Sequence, residues 1–425
     1  MLKQILKKTI VAILRIEVRL VLWKYKPKIV AVSGTVGKTS TKEAAALVFS
    51  SGFSVRKSEK SYNSEIGVPL TIIGAKSGWR NPFLWLLIFL KGIKLLFIKN
   101  NYPKWLILEM GVDREGDMER LVSYIKPDIA IITAVGAVPV HVEYFKESED
   151  ILREKAKLVY ALKEGGWAIL NGDDDEVLNL KIKIKANVLT YGFSAGLDLT
   201  ASNYKIIRKG VTFKVDYKGN IVPVRLSNIF GRHHVYTVLA SLAAGISQGL
   251  NLIKISEILS NIRPLPGRLN LIKGVRKSMI FDDTYNSSPI AVEVAIETLN
   301  EFPAKRKIAV FGDMLELGKY TVEAHKEIGR IICEKKIDLL LTVGPRSKFT
   351  AQEAKERGFD ARNIFEFSSA DEAGEAIKEK IQEGDLILVK GSQSMRMEKT
   401  VEKIMAKPEF KERLLVRQEK EWKNR

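Results

Sequence analysis

The sequence contains one cysteine, Cys333, among its 425 residues, so no disulfide framework is available to it. This fits a protein of the reducing cytoplasm. The sequence also lacks an uninterrupted apolar run of about 20 residues, which a membrane-spanning helix requires. No small-residue cleavage site follows its first apolar stretch, so we do not expect a signal peptide.

Acidic residues are also in short supply, because Lys and Arg outnumber Asp and Glu by 69 to 50 and leave a net charge of +19. A field of this sign attracts nucleic acid, anionic lipid or a polyanionic substrate. No stretch interleaves basic and aromatic residues as single-strand binding surfaces do, so we expect no nucleic-acid partner. With 46% hydrophobic residues the chain is globular, and its length predicts two or three domains.

Two segments combine apolar and basic residues. Residues 1–26 predict a basic amphipathic helix, which either lies on an anionic membrane surface or packs on its own domain. Both interpretations stay open. Residues 82–98, within an apolar insertion at 80–100, are interrupted only by two lysines and Gly92. They predict a pair of helices that are either buried or bound to the surface of a membrane or another protein, rather than a membrane span.

Residues 28–42 carry the strongest local signal. A β-branched run leads into two glycines, then Lys38 and Thr39, and then a helix-forming segment. Glycine lets backbone N–H groups turn toward an anion, Lys38 adds a charge for the outer phosphates, and the Thr39 hydroxyl suits Mg²⁺. The usual spacing would place the first glycine at Val32, so a plain glycine turn is the alternative. The predicted nucleotide-binding loop comprises Gly34, Thr35, Val36, Gly37, Lys38, Thr39 and Ser40.

Apolar strands alternate with helical patterns along most of the chain. We predict an α/β fold with a central, mostly parallel sheet domain of the P-loop ATPase type and a C-terminal, doubly wound (Rossmann-like) α/β domain. Residues 188–224 predict an antiparallel sub-sheet, and the charged residues 407–425 predict a solvated helix. The predicted domains are residues 1–26, 27–264 and 265–425, the last boundary lying at two prolines and a glycine.

Glu109 ends an apolar strand, where a carboxylate is costly unless it is exposed or paired. Beside a phosphate loop it predicts the second ligand of a Mg²⁺ ion shared with Thr39, because Mg²⁺ prefers hard oxygen ligands. A solvated strand end is the alternative. His141 and Lys155 are weak signals on their own, since a lone histidine is usually structural and a helical lysine is usually a solvated charge.

Polar loops also follow several strands of the second half. Residues 282–289 place two acids and an asparagine directly after a strand, and residues 312–318 and 390–392 follow two others. Arg268, just past the predicted boundary, could reach back to a phosphate. Because the carboxyl ends of parallel strands meet at one edge of a sheet, we expect these loops to converge on one face.

From about residue 28 to residue 405 the chain resembles a known family, the Mur ligases. The matching motifs are the phosphate loop at 34–40, Ile-Gly-x-Pro-Leu at 66–70, Glu-Met-Gly at 109–111, His-x-Glu-x-Phe at 141–145, Asp-Asp-x-Tyr-Asn at 282–286, Gly-Asp-Met-x-Glu-Leu-Gly at 312–318 and Lys-Gly-Ser-x-Ser-Met-Arg at 390–396. Seven motifs in the family's order identify the chain as a member.

The resemblance implies an ATP-dependent amide ligase of peptidoglycan precursor synthesis, which forms an acyl phosphate on a muramoyl-peptide carboxylate and joins it to D-alanyl-D-alanine. The substrates are then small molecules, a UDP-muramoyl peptide and the dipeptide. By position in the motifs, it implies that Lys38 holds phosphates, Thr39 and Glu109 hold one Mg²⁺, His141 helps a second, and Lys155 is the lysine that many members carbamylate. Contacts to the nucleotide are implied for Arg268, Asp283 and Asn286.

The departures from the family pattern lie in three motifs and at the front of the chain. Ser61-Tyr62-Asn63-Ser64 replaces Asn-x-Asn-Asn, Gly231-Arg232-His233-His234 replaces Gly-x-His-Asn, and Asn286-Ser287-Ser288-Pro289 replaces Asn-Ala-Asn-Pro. The family's N-terminal UDP-binding domain has no room before Gly34. Either the apolar segments at 1–26 and 82–98 take over its binding function, or the substrate is not a UDP-sugar peptide.

Two alternatives to this function stay open. One is a related ligase with another acceptor, such as a pseudomurein ligase or a folylpolyglutamate synthase-like enzyme. The other is a P-loop ATPase associated with a membrane or with nucleic acid and without ligase chemistry. In either ligase case we expect a monomer in the cytoplasm, with peripheral contact to the inner face of the membrane if the N-terminal helix binds anionic lipid.

Overall fold

The computed structural model describes residues 2–59, 62–79, 81–136, 141–207, 209–419 and 422. Within these residues the strands form two sheets, one in each half of the chain. The α/β fold predicted from the sequence is confirmed. The predicted domain boundaries stay predictions, although the last strand of the first sheet and the first strand of the second lie on either side of residues 264–267.

The first half begins with a helix and continues into a nine-stranded sheet among the described residues. Its helices are α1 (Leu2–Tyr25), α2 (Lys38–Ser50), α3 (Gly67–Ile73), α4 (Pro82–Phe97), α5 (Asp117–Val122), α6 (Ser148–Tyr160), α7 (Asp175–Asn179), α8 (Arg232–Ile246) and α9 (Leu252–Leu259). Its strands are β1 (Lys28–Ser33), β2 (Val55–Lys57), β3 (Trp105–Glu109), β4 (Ile129–Ile132), β5 (Trp167–Asn171), β6 (Asn187–Gly192), β7 (Leu199–Ile207), β8 (Gly210–Tyr217) and β9 (Asn220–Ser227).

The first sheet has the order β2-β3-β1-β4-β5-β6-β7-β8-β9. Strands β1 to β6 pair in parallel, and β1, β3 and β4 are apolar almost throughout because helices cover both of their faces. Strands β7, β8 and β9 pair antiparallel. The predicted sub-sheet at 188–224 is therefore wrong for β6, which pairs in parallel with β5.

The second half forms a six-stranded sheet with the order β10-β11-β15-β12-β13-β14 in the described residues. Its strands are β10 (Asn270–Lys273), β11 (Met279–Asp283), β12 (Arg306–Gly312), β13 (Leu339–Val343), β14 (Ile364–Phe367) and β15 (Asp385–Lys390). Its helices are α10 (Pro289–Glu301), α11 (Thr321–Glu334), α12 (Lys348–Glu356), α13 (Ala370–Lys380), α14 (Glu398–Ile404) and α15 (Lys411–Leu414). All strands except β10 run parallel, and separate apolar clusters fill the two faces of the sheet.

Helix α1 packs on its own domain, which was one of the two interpretations of residues 1–26; Met1 lies outside the described residues. Its residues Leu14, Val18 and Val21 are buried in the same core as Trp85 and Leu95 of α4. Pro82–Phe97 forms one helix, so the pair of helices predicted for residues 82–98 is wrong. No helix in the described part of the chain has the length and apolarity needed to cross a membrane.

The C-terminal segment differs from its prediction as a solvated helix. In the described part of that segment, Lys411–Leu414 forms a short α-helix and residue 422 is again helical. Between them Leu415 and Arg417 are buried, and Arg417 has φ +58°. Residues 420, 421 and 423–425 lie outside the described residues. Arg417 can be buried because the Glu398 carboxylate balances its charge and the Tyr285 carbonyl accepts one of its hydrogen bonds.

Candidate active site

The phosphate loop connects β1 to α2, as its sequence predicts. Gly34 has φ +141° and packs so closely on Thr133 and the Ala134 carbonyl that a side chain would overlap both. Gly37 has φ +85°, in the left-handed region that favours glycine. No side chain caps the first turn of α2. The N–H groups of that turn and the positive end of the helix dipole are therefore available to an anion.

Lys38 is the first residue of α2 and curls back over the loop. Its Nζ donates to the carbonyl oxygens of Gly34, at 2.7 Å, and Thr35, at 3.2 Å. Burial lowers the pKa of Lys38, and the nearby charge of Arg268 lowers it further, whereas Glu109 opposes the effect. A cation held beside free backbone N–H groups is suited to the charge of a nucleotide's outer phosphates.

Glu109 ends β3, and the register of the sheet pairs it with Val32, next to the start of the phosphate loop. Its side chain is buried, and Oε1 accepts a hydrogen bond from Asn63 at 3.3 Å. Oε2 is buried with no hydrogen-bond partner among the described residues. An unsatisfied carboxylate oxygen is costly, and a hard cation would satisfy it, so this donor set fits Mg²⁺.

The second half closes over the phosphate loop through Arg268. Its guanidinium donates to Thr39 Oγ1 at 3.3 Å and lies 4.0 Å from the ring centroid of Tyr285. Asp283 pairs with the buried Lys390 at 2.7 Å, and Lys390 also donates to the carbonyl of Asn286 at 2.8 Å. The loops after β11 and β15 therefore meet, because these strands are parallel neighbours with Asp283 opposite Lys390.

His141 joins the two halves. Its Nδ1 lies 2.6 Å from Glu316 Oε2 in the second half, and its Nε2 lies 3.4 Å from Asp113 Oδ1 in the first. A hydrogen bond from Nδ1 to the carboxylate fixes the imidazole and leaves Nε2 beside Asp113. Asp113 and His141 both line a cavity between the two halves, but Asp113 was not identified from the sequence, since it follows Glu109 without a motif of its own.

Lys155 lies on α6 and is 3% exposed, so the alternative of a solvated helical charge is wrong. Burial lowers its pKa to about 7, and the charge of Lys38 contributes to the shift. An amine with this pKa is about half neutral at pH 7 and is a nucleophile in that form. Lys155 is also near enough to Asp113 for that carboxylate to raise its pKa in part.

A cavity of about 370 Å³ lies between the two halves. Of the predicted site residues, it is lined by Thr35, Val36, Gly37, Lys38, Thr39, Ser40, Glu109, His141, Arg268, Asp283 and Asn286. Gly34 and Lys155 do not line it. Within the described residues there is no cluster of three or more His, Cys, Asp or Glu placed to bind a metal. Ser61 of the loop that supplies Asn63 lies outside those residues.

A second cavity of about 450 Å³ adjoins the first and shares Val36, Gly37, His233 and Val294 with it. Its other lining residues include Asp173, Arg232, Tyr236 and Glu297. Asp173, Tyr236 and Glu297 were not identified as site residues from the sequence, whereas Arg232 and His233 belong to the motif at 231–234 that departs from the family pattern. A signal for Asp173 was the Asn-Gly-Asp-Asp turn at 171–174, which follows a strand of the parallel sheet as the recognised loops do.

Hydrogen bonds and ring contacts order the polar side chains of the second cavity. Tyr236 donates to Asp173 at 2.7 Å, and Arg232 lies 4.2 Å from the ring centroid of Phe193. Burial lowers the pKa of His233 to about 3, with Lys390 and Arg268 adding to the effect, so its ring is neutral at physiological pH. Carboxylates and a neutral ring around a cavity of this size can accept hydrogen bonds from the hydroxyl and amino groups of a nucleoside.

Residues 92–245 match the family model of the Mur ligase middle domain, and residues 267–393 match that of the Mur ligase glutamate ligase domain. The chain belongs to the Mur ligase family. It is accordingly an ATP-dependent ligase, and the two cavities lie where its two matched domains meet. The alternative of an ATPase without ligase chemistry is not favoured.

Within the family, the chain is similar to ligases that carry one enzyme name. The chain is 29% identical over 382 residues to the UDP-N-acetylmuramoyl-tripeptide–D-alanyl-D-alanine ligase of Bacillus subtilis strain 168, covering 90% of this chain and 76% of that protein. It is also 29% identical over 381 residues to the enzyme of that name from Escherichia coli K12, covering 88% and 76%. A crystal structure of the MurF ligase of Thermotoga maritima in complex with ADP superposes with a TM-score of 0.77 and 26% identity, covering 92% of this chain and 83% of that one.

Proposed function

We propose that this Mur ligase joins the free carboxylate of a UDP-N-acetylmuramoyl tripeptide to the amine of D-alanyl-D-alanine at the expense of ATP, in the synthesis of peptidoglycan precursors. The relatives named for that reaction match nine-tenths of the chain. The observation that carries the proposal is the single cleft in which the phosphate loop of the first half faces Arg268, Asp283 and Asn286 of the second.

The proposed reaction has two steps. In the first, a carboxylate oxygen of the tripeptide attacks the terminal phosphorus of ATP, the bond from that phosphorus to the bridging oxygen breaks, and ADP leaves. In the second, the amine nitrogen attacks the acyl carbon and loses a proton, the carbon–oxygen bond breaks, and phosphate leaves. Both steps gain from charge neutralisation, from positioning and from a cleft closed to water.

The phosphates are proposed to bind at the N-terminus of α2. The free N–H groups of its first turn and the Lys38 ammonium stabilise their negative charge, and Arg268 adds a charge from the opposite wall. His141, held by Glu316, keeps the two halves together while the reacting groups are in place. The nucleoside is proposed to occupy the second cavity, next to His233 and Asp173.

We propose that Thr39 and Glu109 hold a Mg²⁺ ion, and that His141 with Asp113 contributes to a second metal position. The ion would neutralise charge on the outer phosphates. Lys155 is proposed to be carbamylated, as its counterpart is in many members of the family. Its neutral amine attacks CO₂, a nitrogen–carbon bond forms and a proton leaves, so that a cation becomes an anion near the metal positions.

The Mg²⁺ assignment predicts a change in the binding of ADP itself. Mg²⁺ should strengthen ADP binding to the wild type by about tenfold, because an ion held by Thr39 and Glu109 would neutralise charge on the phosphates. In Glu109→Gln, which preserves shape but removes the charge, the strengthening should fall to about twofold or less. Titration calorimetry with and without Mg²⁺ measures this. Equal strengthening in Glu109→Gln and in the exposed control Glu115→Gln would contradict the assignment.

We also propose that the enzyme acts as a monomer in the cytoplasm, where its single cysteine fits a reducing compartment. Sedimentation at catalytic concentration tests the monomer, and activity that appears only in a dimer fraction would contradict it.

The substrate proposal is tested by measuring ADP release with a panel of acceptors and donors. ADP should form only when a UDP-muramoyl tripeptide and D-alanyl-D-alanine are both present, and mass spectrometry should find the pentapeptide product. ADP release with folate and glutamate, or with a non-muramoyl peptide, would identify a ligase with another acceptor. ADP release without any acceptor would contradict ligase chemistry.

A further inference from the structure

The exposed apolar side chains of this protein are concentrated on the outer faces of α1 and α4. On α1 they are Ile5, Leu6, Ile16, Leu20 and Trp23, and Trp23 is 76% exposed. Except for Leu6, they recur at the spacing of a helix and form one stripe. A globular protein exposes single apolar residues routinely, but a continuous stripe marks an interaction surface.

Helix α4 has the same property in a stronger form. Its exposed stripe consists of Phe83, Leu86, Leu87, Leu90, Ile93 and Phe97, of which Phe97 is 82% exposed. The opposite side of the helix is also apolar, and it is packed in the core. The helix is thus apolar on both sides, although it lies at the surface of a globular domain.

The two stripes belong to one rigid face. Lys24 of α1 donates to the carbonyl oxygens of Leu95 and Leu96, and the Tyr25 hydroxyl donates to the Leu95 carbonyl at 2.8 Å. The inward residues of both helices pack in the same core, so their outward stripes face away from it. We call this surface, formed by the outward residues of Leu2–Tyr25 and Pro82–Phe97, the α1–α4 face.

Charge on the α1–α4 face is of one sign. Helix α4 carries two lysines and no acid, and α1 carries six basic residues and one acid, Glu17. Glu17 does not face outward, because its carboxylate is buried against Gly92 of α4, and this burial raises its pKa to about 7. Some of the basic side chains bind their own domain, since Lys7 pairs with Glu65 and Arg15 donates to Ser123, whereas Lys8 and Lys94 are exposed. The face therefore presents apolar side chains with basic residues and no exposed carboxylate from either helix.

These properties identify the occupant by chemistry. A second copy of this chain would bring two positively charged faces together, which the like charge opposes. An anionic bilayer offers negative headgroups for the lysines and an apolar interior for the stripe, so it complements both parts of the face. Neither helix can cross the bilayer, so binding is in the plane of the interface.

We propose that the α1–α4 face binds the surface of a bilayer that contains anionic lipid, with both helices lying parallel to it. Two residues, Lys26 and Pro27, separate α1 from β1, the strand that leads into the phosphate loop. Binding through α1 therefore holds the catalytic core at the membrane. The proposal does not depend on which peptide the enzyme ligates.

Vesicle flotation with the full chain tests the proposal. The protein should float with phosphatidylcholine vesicles that contain about a third phosphatidylglycerol and should float much less with pure phosphatidylcholine. A blue shift in emission on binding should shrink in Trp23→Phe, because Trp23 enters the interface. Equal flotation with both vesicle types, flotation with neither, or an unchanged shift in Trp23→Phe would overturn the proposal.

A matched pair of variants separates the stripe from net charge. Leu90→Glu with Phe97→Glu should lower vesicle affinity at least about tenfold, because it places two acids in the stripe. Ile182→Glu with Ile221→Glu adds the same charge at exposed apolar residues outside the face and should lower affinity far less. Equal losses of vesicle affinity in the two variants would overturn the proposal. So would a wild type that binds no vesicles but forms a dimer, if Leu90→Glu with Phe97→Glu disrupts that dimer. ADP release by all variants confirms that they fold.

Discussion

Lys155→Met should make the protein more stable at neutral pH by about 3 to 5 kcal/mol and should lower ligase activity by ~10²–10³-fold. The two effects have one cause. Lys155 is buried near Lys38, and this environment lowers its pKa to about 7 from 10.5 in the unfolded chain. A charge that is disfavoured in the folded state costs stability, and methionine fills a similar volume without that charge.

The stability gain should depend on pH in a defined direction. Above pH 10.5 the amine is neutral in both states, so the variant gains nothing from the lost charge. As the pH falls from 10.5 to 7, the unfolded chain binds a proton that the folded protein does not, so the wild type loses stability relative to the variant. Below pH 7 both states are protonated and the difference stays constant. Denaturant unfolding at pH 6, 8 and 10 in CO₂-depleted buffer measures it.

Lys157 provides the control for this prediction. It lies two residues further along α6 but is partly exposed and pairs with Glu119 and Glu154, each at 2.8 Å. Lys157→Met should therefore lower stability slightly rather than raise it, and it should leave activity nearly unchanged. If Lys155→Met were no more stable than the wild type at pH 7, the buried charge would not be the source of the cost.

The carbamate makes a separate spectroscopic prediction. With ¹³C-labelled bicarbonate, the wild type should show a carbamate carbon resonance that is absent in Lys155→Met and present in Lys157→Met. A resonance that persists in Lys155→Met would assign the modification to another amine. Activity that is retained in Lys155→Met would remove Lys155 from the mechanism altogether.

The phosphate loop was predictable because its signal is local. Strand, glycine turn and helix N-terminus follow one another within about fifteen residues, and the geometry of each glycine is set by its nearest neighbours in the sheet. The convergence of the loops after β11 and β15 was predictable for a similar reason. Parallel strands that lie side by side bring their carboxyl ends to the same edge.

Other features depend on partners far away in the sequence. Gly92 looked like a break between two helices, but it lies inside α4, where the absence of a side chain admits the Glu17 carboxylate. The second cavity takes its walls from the phosphate loop, the turn after β5, α8 and α10. The phosphate loop and the start of α8 carry family motifs, but neither motif indicates that these four segments enclose one cavity. The charged composition of the C-terminal segment predicted exposure, because composition does not reveal a buried ion pair.

Arg417 of that segment is the centre of such a buried network. It pairs with Glu398 at 2.6 Å, and both side chains are almost fully buried. The guanidinium also donates to the carbonyl oxygens of Thr284 and Tyr285, the latter at 3.1 Å. These carbonyls lie between Asp283 and Asn286, so the C-terminal segment supports the loop to which we assign nucleotide contacts.

Arg417→Ala should lower the free energy of unfolding by about 3 to 5 kcal/mol, because it leaves a buried carboxylate short of a partner and two carbonyls without a donor. Arg413→Ala, at an exposed position of the same segment, should change it by less than about 0.5 kcal/mol. Denaturant unfolding compares the two. A loss for Arg417→Ala as small as that of the control would mean that the segment does not stabilise the fold.

Kinetics distinguish support of the nucleotide loop from a purely structural role. If Arg417 positions Tyr285, which lies against Arg268, the fraction of Arg417→Ala that remains folded should show a KM for ATP raised about tenfold, with kcat changed much less. Arg417→Lys keeps the charge but not the planar fork of donors, so it should recover part of the stability and little of the KM. If stability falls while the KM for ATP is unchanged, Arg417 supports the fold alone. In that case β11 would hold the loop at residues 283–286 in place, and the nucleotide contacts would not need Arg417.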